Sequence, residues 1–64
     1  MARKLADVDC TLIREREKAV LVESTQTGRE AWVPKSVCEI ERIKNSTTVV
    51  LTLSEDIAIE KELV

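Results

Sequence analysis

The chain has no histidine, phenylalanine or tyrosine, and among its 64 residues stand one tryptophan, one proline and one glycine. Each scarcity excludes something. Two cysteines without histidine make no plausible zinc cluster, and neither thiol has an imidazole to activate it as a nucleophile. A phosphate-binding loop needs several glycines so that backbone amides can surround the phosphates. Gly28 stands alone, so the pair Lys35-Ser36 reads as a solvated lysine and a turn-forming serine. Single-strand nucleic-acid sites combine a cationic groove with several stacking aromatics, which one tryptophan does not supply. No apolar run approaches the roughly 20 residues that span a bilayer. The start, MARKLADVDC, meets Asp7 and Asp9 where a signal peptide would be apolar. These absences lead us to expect a cytoplasmic, non-enzymatic chain without a cofactor.

What is present fits a globular domain: 44% hydrophobic and 34% charged residues. A chain this short buries only about 60% of the surface it exposes when unfolded. Small scaffolds recover stability by cross-links, metals or oligomerisation, so a homo-oligomer is the first support to expect. Net charge is −2, and residues 1–44 carry nine Lys or Arg against eight Asp or Glu. Residues 45–64 carry only Lys61 against Glu55, Asp56, Glu60 and Glu62. Counterion release from phosphates needs clustered cations, and here the cations are interleaved with acids, as in RERE. Nucleic acid is therefore disfavoured as a partner.

From Asp7 to Leu53 the dominant pattern is alternation with period two, the mark of half-buried strands. Val8, Cys10 and Leu12 share one face while Asp7, Asp9 and Thr11 share the other. KAVLVES, residues 18–24, is a β-branched run that should pair with it as an antiparallel hairpin. The connection between them lacks Gly and Asn, which points to a loop longer than a two-residue primed turn. STQTGR forms the next loop, with Gly28 where positive φ is cheap. EAWV places Ala31 and Val33 opposite Trp32, and Pro34 must end, bend or edge that strand. After the corner PKS, Cys38 and Ile40 alternate with Glu39 and Glu41, and Ile43 breaks the parity near Arg42. Asn45 and Ser46 turn the chain into TTVVLTL, where Val49, Leu51 and Leu53 alternate with Thr48, Val50 and Thr52.

The period then changes. Ser54 suits an N-cap, and Glu55 and Asp56 fall in a first turn where the helix dipole favours acids. The reading is a mainly β domain: strands at about 7–15, 18–24, 29–34, 37–43 and 47–53, and a helix at about 55–63. Five short strands and a helix suggest a small antiparallel barrel of the SH3-like or OB-like kind.

Laid out this way, EKAVLVES at 17–24, AWVPKS at 31–36 and LTLSEDIAIEKELV at 51–64 resemble a loosely defined family of small phage and prophage proteins. Together these segments cover nearly half of the chain in the expected order. The resemblance implies a strand pair, a tryptophan strand ending in Pro-Lys-Ser, and a terminal helix often opened by Pro and Trp. Here Ser54 and Asp56 stand at those last positions. The resemblance implies fold and origin, and carries no catalytic chemistry. VPKS also resembles, over a few residues, the Ile-Pro-Lys corner of swapped-hairpin transcription factors.

Trp32 either fills the core beneath the helix or stands exposed as an interface anchor; the usual burial of tryptophan favours the core. Cys10 and Cys38 both point inward and read as reduced core thiols rather than a disulfide. The carboxylate pairs Asp7/Asp9, Glu15/Glu17 and Glu39/Glu41 read as a solvated face that discourages edge pairing. The leading expectation is a module that binds a host or phage protein, with Trp32, Lys35, Arg29 and Ser36 as binding residues. The alternatives are capture of a nucleotide-like ligand by Trp32, Lys35 and Arg29, and a single-stranded nucleic-acid-binding barrel.

Overall fold

The computed structural model describes residues 4–64; the basic start at residues 1–3 lies outside the described residues. Five strands form one antiparallel sheet: β1 (Leu5–Glu15), β2 (Ala19–Ser24), β3 (Glu30–Pro34), β4 (Cys38–Arg42) and β5 (Thr48–Ser54). The short helix α1 (Glu55–Glu60) follows β5 without a loop. Strand order is β3-β2-β1-β5-β4. The expected strands and helix are thus all present, with boundaries within about two residues at the strands.

The outer strands β3 and β4 are consecutive in the chain, joined by the 3₁₀ turn Lys35–Val37. Four peptide links reach at most about 14 Å, whereas a flat five-stranded sheet is about 19 Å across. The register sharpens the conflict. Val33 pairs with Val20 and Val20 with Glu15, but Cys38 pairs with Leu53 and Leu53 with Ala6. Ala6 and Glu15 lie about 30 Å apart along a straight strand. The sheet must therefore curl until its two ends meet at the turn. β1 carries the bend: residues 5–11 pair with β5, residues 10–15 pair with β2, and the register shifts between Leu12 and Arg14. A bulge there tightens twist and bends the strand.

The curl stops short of closure. β3 and β4 share no ladder, so the sheet is open, which corrects the expectation of a closed barrel. Its concave side holds Val8, Cys10, Val20, Val22, Val33, Val49, Leu51 and Leu53, the inward half of each alternation, with Ala58 and Leu63 packed over one end.

The helix is shorter than the sequence suggests, and its ends differ from expectation. Ser54 precedes it, yet its side chain makes no capping bond. At the other end Glu62 adopts φ +58. Its amide donates to Ile59 O, and the Leu63 amide donates to Ala58 O. This is a Schellman cap, which satisfies two terminal carbonyls and drops the next hydrophobic residue onto the helix. Leu63 is fully buried as a result. The β2–β3 loop holds the same turn. Buried Ser24 donates from Oγ to Leu63 O at 2.5 Å and accepts from the Gln26 and Thr27 amides, while Thr27 Oγ1 donates to Glu62 O.

Leu63→Ala should cost about 2–5 kcal/mol in chemical denaturation, as core leucine truncations do. Glu62→Gly should instead stabilise by about 1 kcal/mol, because a side chain in left-handed backbone is strained.

Candidate functional site

The four residues expected to bind do not converge. Arg29 and Lys35 flank β3 at opposite ends, about 20 Å apart at strand rise. Each is held by a carboxylate: Arg29 Nε lies 3.6 Å from Glu62 Oε2, and Lys35 Nζ lies 2.7 Å from Glu15 Oε2. The second contact belongs to a network, since Arg42 Nη2 lies 2.6 Å from Glu15 Oε1. Glu15 reaches these cations because the bulge shifts the parity of β1 beyond Leu12. Asp7 and Asp9 keep the shared exposed face read from sequence, as do Glu39 and Glu41, whereas Glu17 lies in the turn beyond β1 and shares no strand face with Glu15.

Trp32 is exposed to 42%, which corrects the reading that placed it in the core. Val33 and Ala31 take the inward side, and Trp32 faces out opposite Leu21, which in turn stands opposite Arg14. Ile13, in the bulge beside Arg14, is also exposed. The row Trp32–Leu21–Arg14 thus crosses three strands on the outer face, with exposed Ile13 beside it in the bulge.

The backbone of β3 matters as much as its side chains. The Lys35 amide donates to Lys18 O at 2.8 Å, and the Ser24 amide to Arg29 O at 2.9 Å. Hydrogen-bonded and non-bonded pairs alternate along an antiparallel ladder. Glu30, Trp32 and Pro34 therefore turn their backbone groups to the free edge. Pro34, which has no amide hydrogen, costs the ladder nothing and removes one donor from that edge. This is why the proline sits one residue before the corner.

Ser36 is exposed and belongs to a different surface. With Val37 it lines a groove of about 400 Å³ formed with Leu5, Cys38, Leu53 and Ile57. Among the described residues of that lining Glu39 is the charged one, and none is Lys or Arg. Those residues supply no cation to hold a nucleotide phosphate.

The thiols are both free. Cys10 is fully buried, and desolvation, followed by the charge of Asp9 and the neighbouring Cys38, pushes its pKa up to about 11. Cys38 is half-buried, its pKa raised by burial, and its Sγ lies 3.6 Å from Pro34 O. Neither has the lowered pKa of a nucleophilic thiol. Among the described residues no three of Asp, Glu and Cys gather as a metal site, and no helix is long and apolar enough to cross a membrane.

No family model, curated protein or solved structure matches the chain. Geometry and residue chemistry carry the functional reading.

Two pH effects follow. Lys35 and Arg42 hold the Glu15 carboxyl below its ordinary range. A lowered carboxylate pKa contributes stability above the unfolded value, lost as pH falls through the folded one. Glu15→Gln should therefore destabilise at pH 7, and thermal melts of the two proteins should converge in acid. A raised thiol pKa acts oppositely. Between about pH 9 and 11 the unfolded chain ionises Cys10 and the folded chain does not, so stability should fall across that window. Cys10→Ala should make that fall shallower, and iodoacetamide should modify Cys38 before Cys10.

Proposed function

We propose that the chain is a non-catalytic protein-interaction module that works as a homo-oligomer and binds a host or phage protein. The resemblance to phage and prophage proteins makes it an accessory protein of that kind, acting in the host cytoplasm. We take its curled sheet as a small barrel of the SH3-like or OB-like kind left open between β3 and β4. The observation that carries the reading is Trp32 at half exposure in the centre of an edge strand whose outer side is unpaired. Tryptophan is enriched among the residues that anchor protein interfaces, and an open edge offers backbone pairing beside it.

The oligomer contact is β3 against β3 of a second copy. Centred on Trp32, an antiparallel pairing sets Trp32 beside its own copy and Glu30 opposite Pro34. Both Trp32 amides and both Glu30 amides find carbonyls; the proline leaves two acceptors without donors. Within the strand no like charges stand opposite each other; at its ends Arg29 faces Lys35 of the second copy, each of them already engaged by a carboxylate. The rows Trp32–Leu21–Arg14 then join across the two-fold axis, covering Trp32, which the monomer leaves exposed.

Light scattering behind size-exclusion should give twice the 7.2 kDa chain mass at high protein concentration, and Trp32→Glu should return the monomer mass. The single tryptophan reports the same event: its emission should shift to the blue as concentration rises. A strict monomer at millimolar protein contradicts the oligomer. Purified partner binding that survives Trp32→Ala undiminished contradicts Trp32 as the anchor.

A further inference from the structure

The second free edge differs from the first. The Ile43 amide donates to Thr48 O, extending the register in which Arg42 faces Val49. By alternation Glu41 and Glu39 bond to β5, whereas Cys38, Ile40 and Arg42 turn their amides and carbonyls outward. The other side of β5 agrees. Leu12 donates to Thr47 O, so Val49, Leu51 and Leu53 bond to β1, leaving Thr48, Val50 and Thr52 to bond to β4. β4 therefore presents three successive unpaired positions, with neither a proline nor a bulge among them.

Its side chains decide what can pair there. Cys38 and Ile40 face the core side but are only half-buried; the Cys38 Sγ meets the Pro34 carbonyl at 3.6 Å, and no strand pairs with their outer edge among the described residues. Glu39 and Glu41 stand exposed on the other face. Beyond them on the same face lie Asp7 and Asp9, in the rows Glu39–Thr52–Asp7 and Glu41–Val50–Asp9. No lysine or arginine stands in either row.

A second copy does not fit. With the two-fold axis on Ile40, Glu39 opposes Glu41 of the second copy. Slid by one ladder step either way, Glu39 or Glu41 opposes itself. Every antiparallel register that uses two or more of the three amides thus sets glutamate against glutamate, a destabilising arrangement. The same charges invert the preference for a strand carrying lysine or arginine at alternate positions.

We propose that the β4 edge is a docking site for an extended segment of a partner protein, added as a sixth antiparallel strand. The segment alternates basic residues, opposite Glu39 and Glu41, with apolar residues that cover Ile40 and Cys38. Past Cys38 its end reaches the groove lined by Ser36, Val37 and Ile57, where a further apolar side chain fits. Main-chain hydrogen bonds hold the strand, and the alternating side chains select it. The surface is distinct from Trp32, so it stands or falls apart from the oligomer contact.

The test uses the full chain and two fluorescein-labelled peptides, Val-Lys-Val-Lys-Val-Leu and Val-Glu-Val-Glu-Val-Leu, read by fluorescence anisotropy and by amide resonances of the protein. The basic peptide should bind at least tenfold more tightly than the acidic one, weaken with salt, and shift the amides of Cys38, Ile40 and Arg42. The variant Glu39→Lys/Glu41→Lys should invert the preference; exposed on a strand face, these changes leave the core untouched. A basic peptide that moves only the Glu30 and Trp32 amides overturns the proposal. So does an unchanged preference in the double variant, or no binding of the basic peptide at millimolar concentration.

Discussion

A three-residue turn between the two outermost strands constrains everything else in this molecule. A sheet whose ends are tied by Lys35–Val37 cannot lie flat, and β1 must bend to serve both halves. The bulge after Leu12 supplies that bend. It also moves Glu15 to the position from which it holds both Lys35 and Arg42. The curl creates the concave side that a chain with one aromatic residue can fill using valine and leucine. One end of that core is sealed by Leu63, which the Schellman cap and the Ser24 hydroxyl hold in place.

Curling without closing leaves two edges, and they are unlike. On β3, a proline removes a donor and a tryptophan supplies apolar area, and the cations that a self-pairing opposes at its ends, Arg29 and Lys35, are each already held by a carboxylate. On β4, three complete backbone positions remain, and two glutamates oppose any second copy. Proteins commonly manage open edges with proline and charge. Here the two devices are divided between the two edges, which separates the surface fit for self-association from the surface fit for a foreign strand.

Much of the fold was legible in the sequence because period-two alternation is local. Val49, Leu51 and Leu53 announced their buried face by spacing alone, as did Val8 and Cys10. Gly28 marked its turn through positive φ. The parity break at Ile13 was not legible, because LIRERE turns from apolar to charged just where the bulge lies. Nor was the left-handed Glu62, since no glycine marks it. Trp32 shows the limit of alternation: spacing placed it opposite Val33 but did not say which side was core. The candidate site was legible only in pieces. Arg29 and Lys35 are engaged by Glu62 and Glu15, contacts 33 and 20 residues distant in sequence, for which no local pattern exists. The groove at Val37 arises only when α1 and the turn come together.

The openness of the sheet between β3 and β4 is the claim on which both edges depend. Residue-resolved amide hydrogen exchange on dilute protein reads it directly. The account predicts slow exchange at Glu39 and Glu41 alternating with fast exchange at Cys38, Ile40 and Arg42. Uniformly slow exchange through residues 38–42 in the dilute protein would mean that β4 is already paired along its outer edge, and would contradict it.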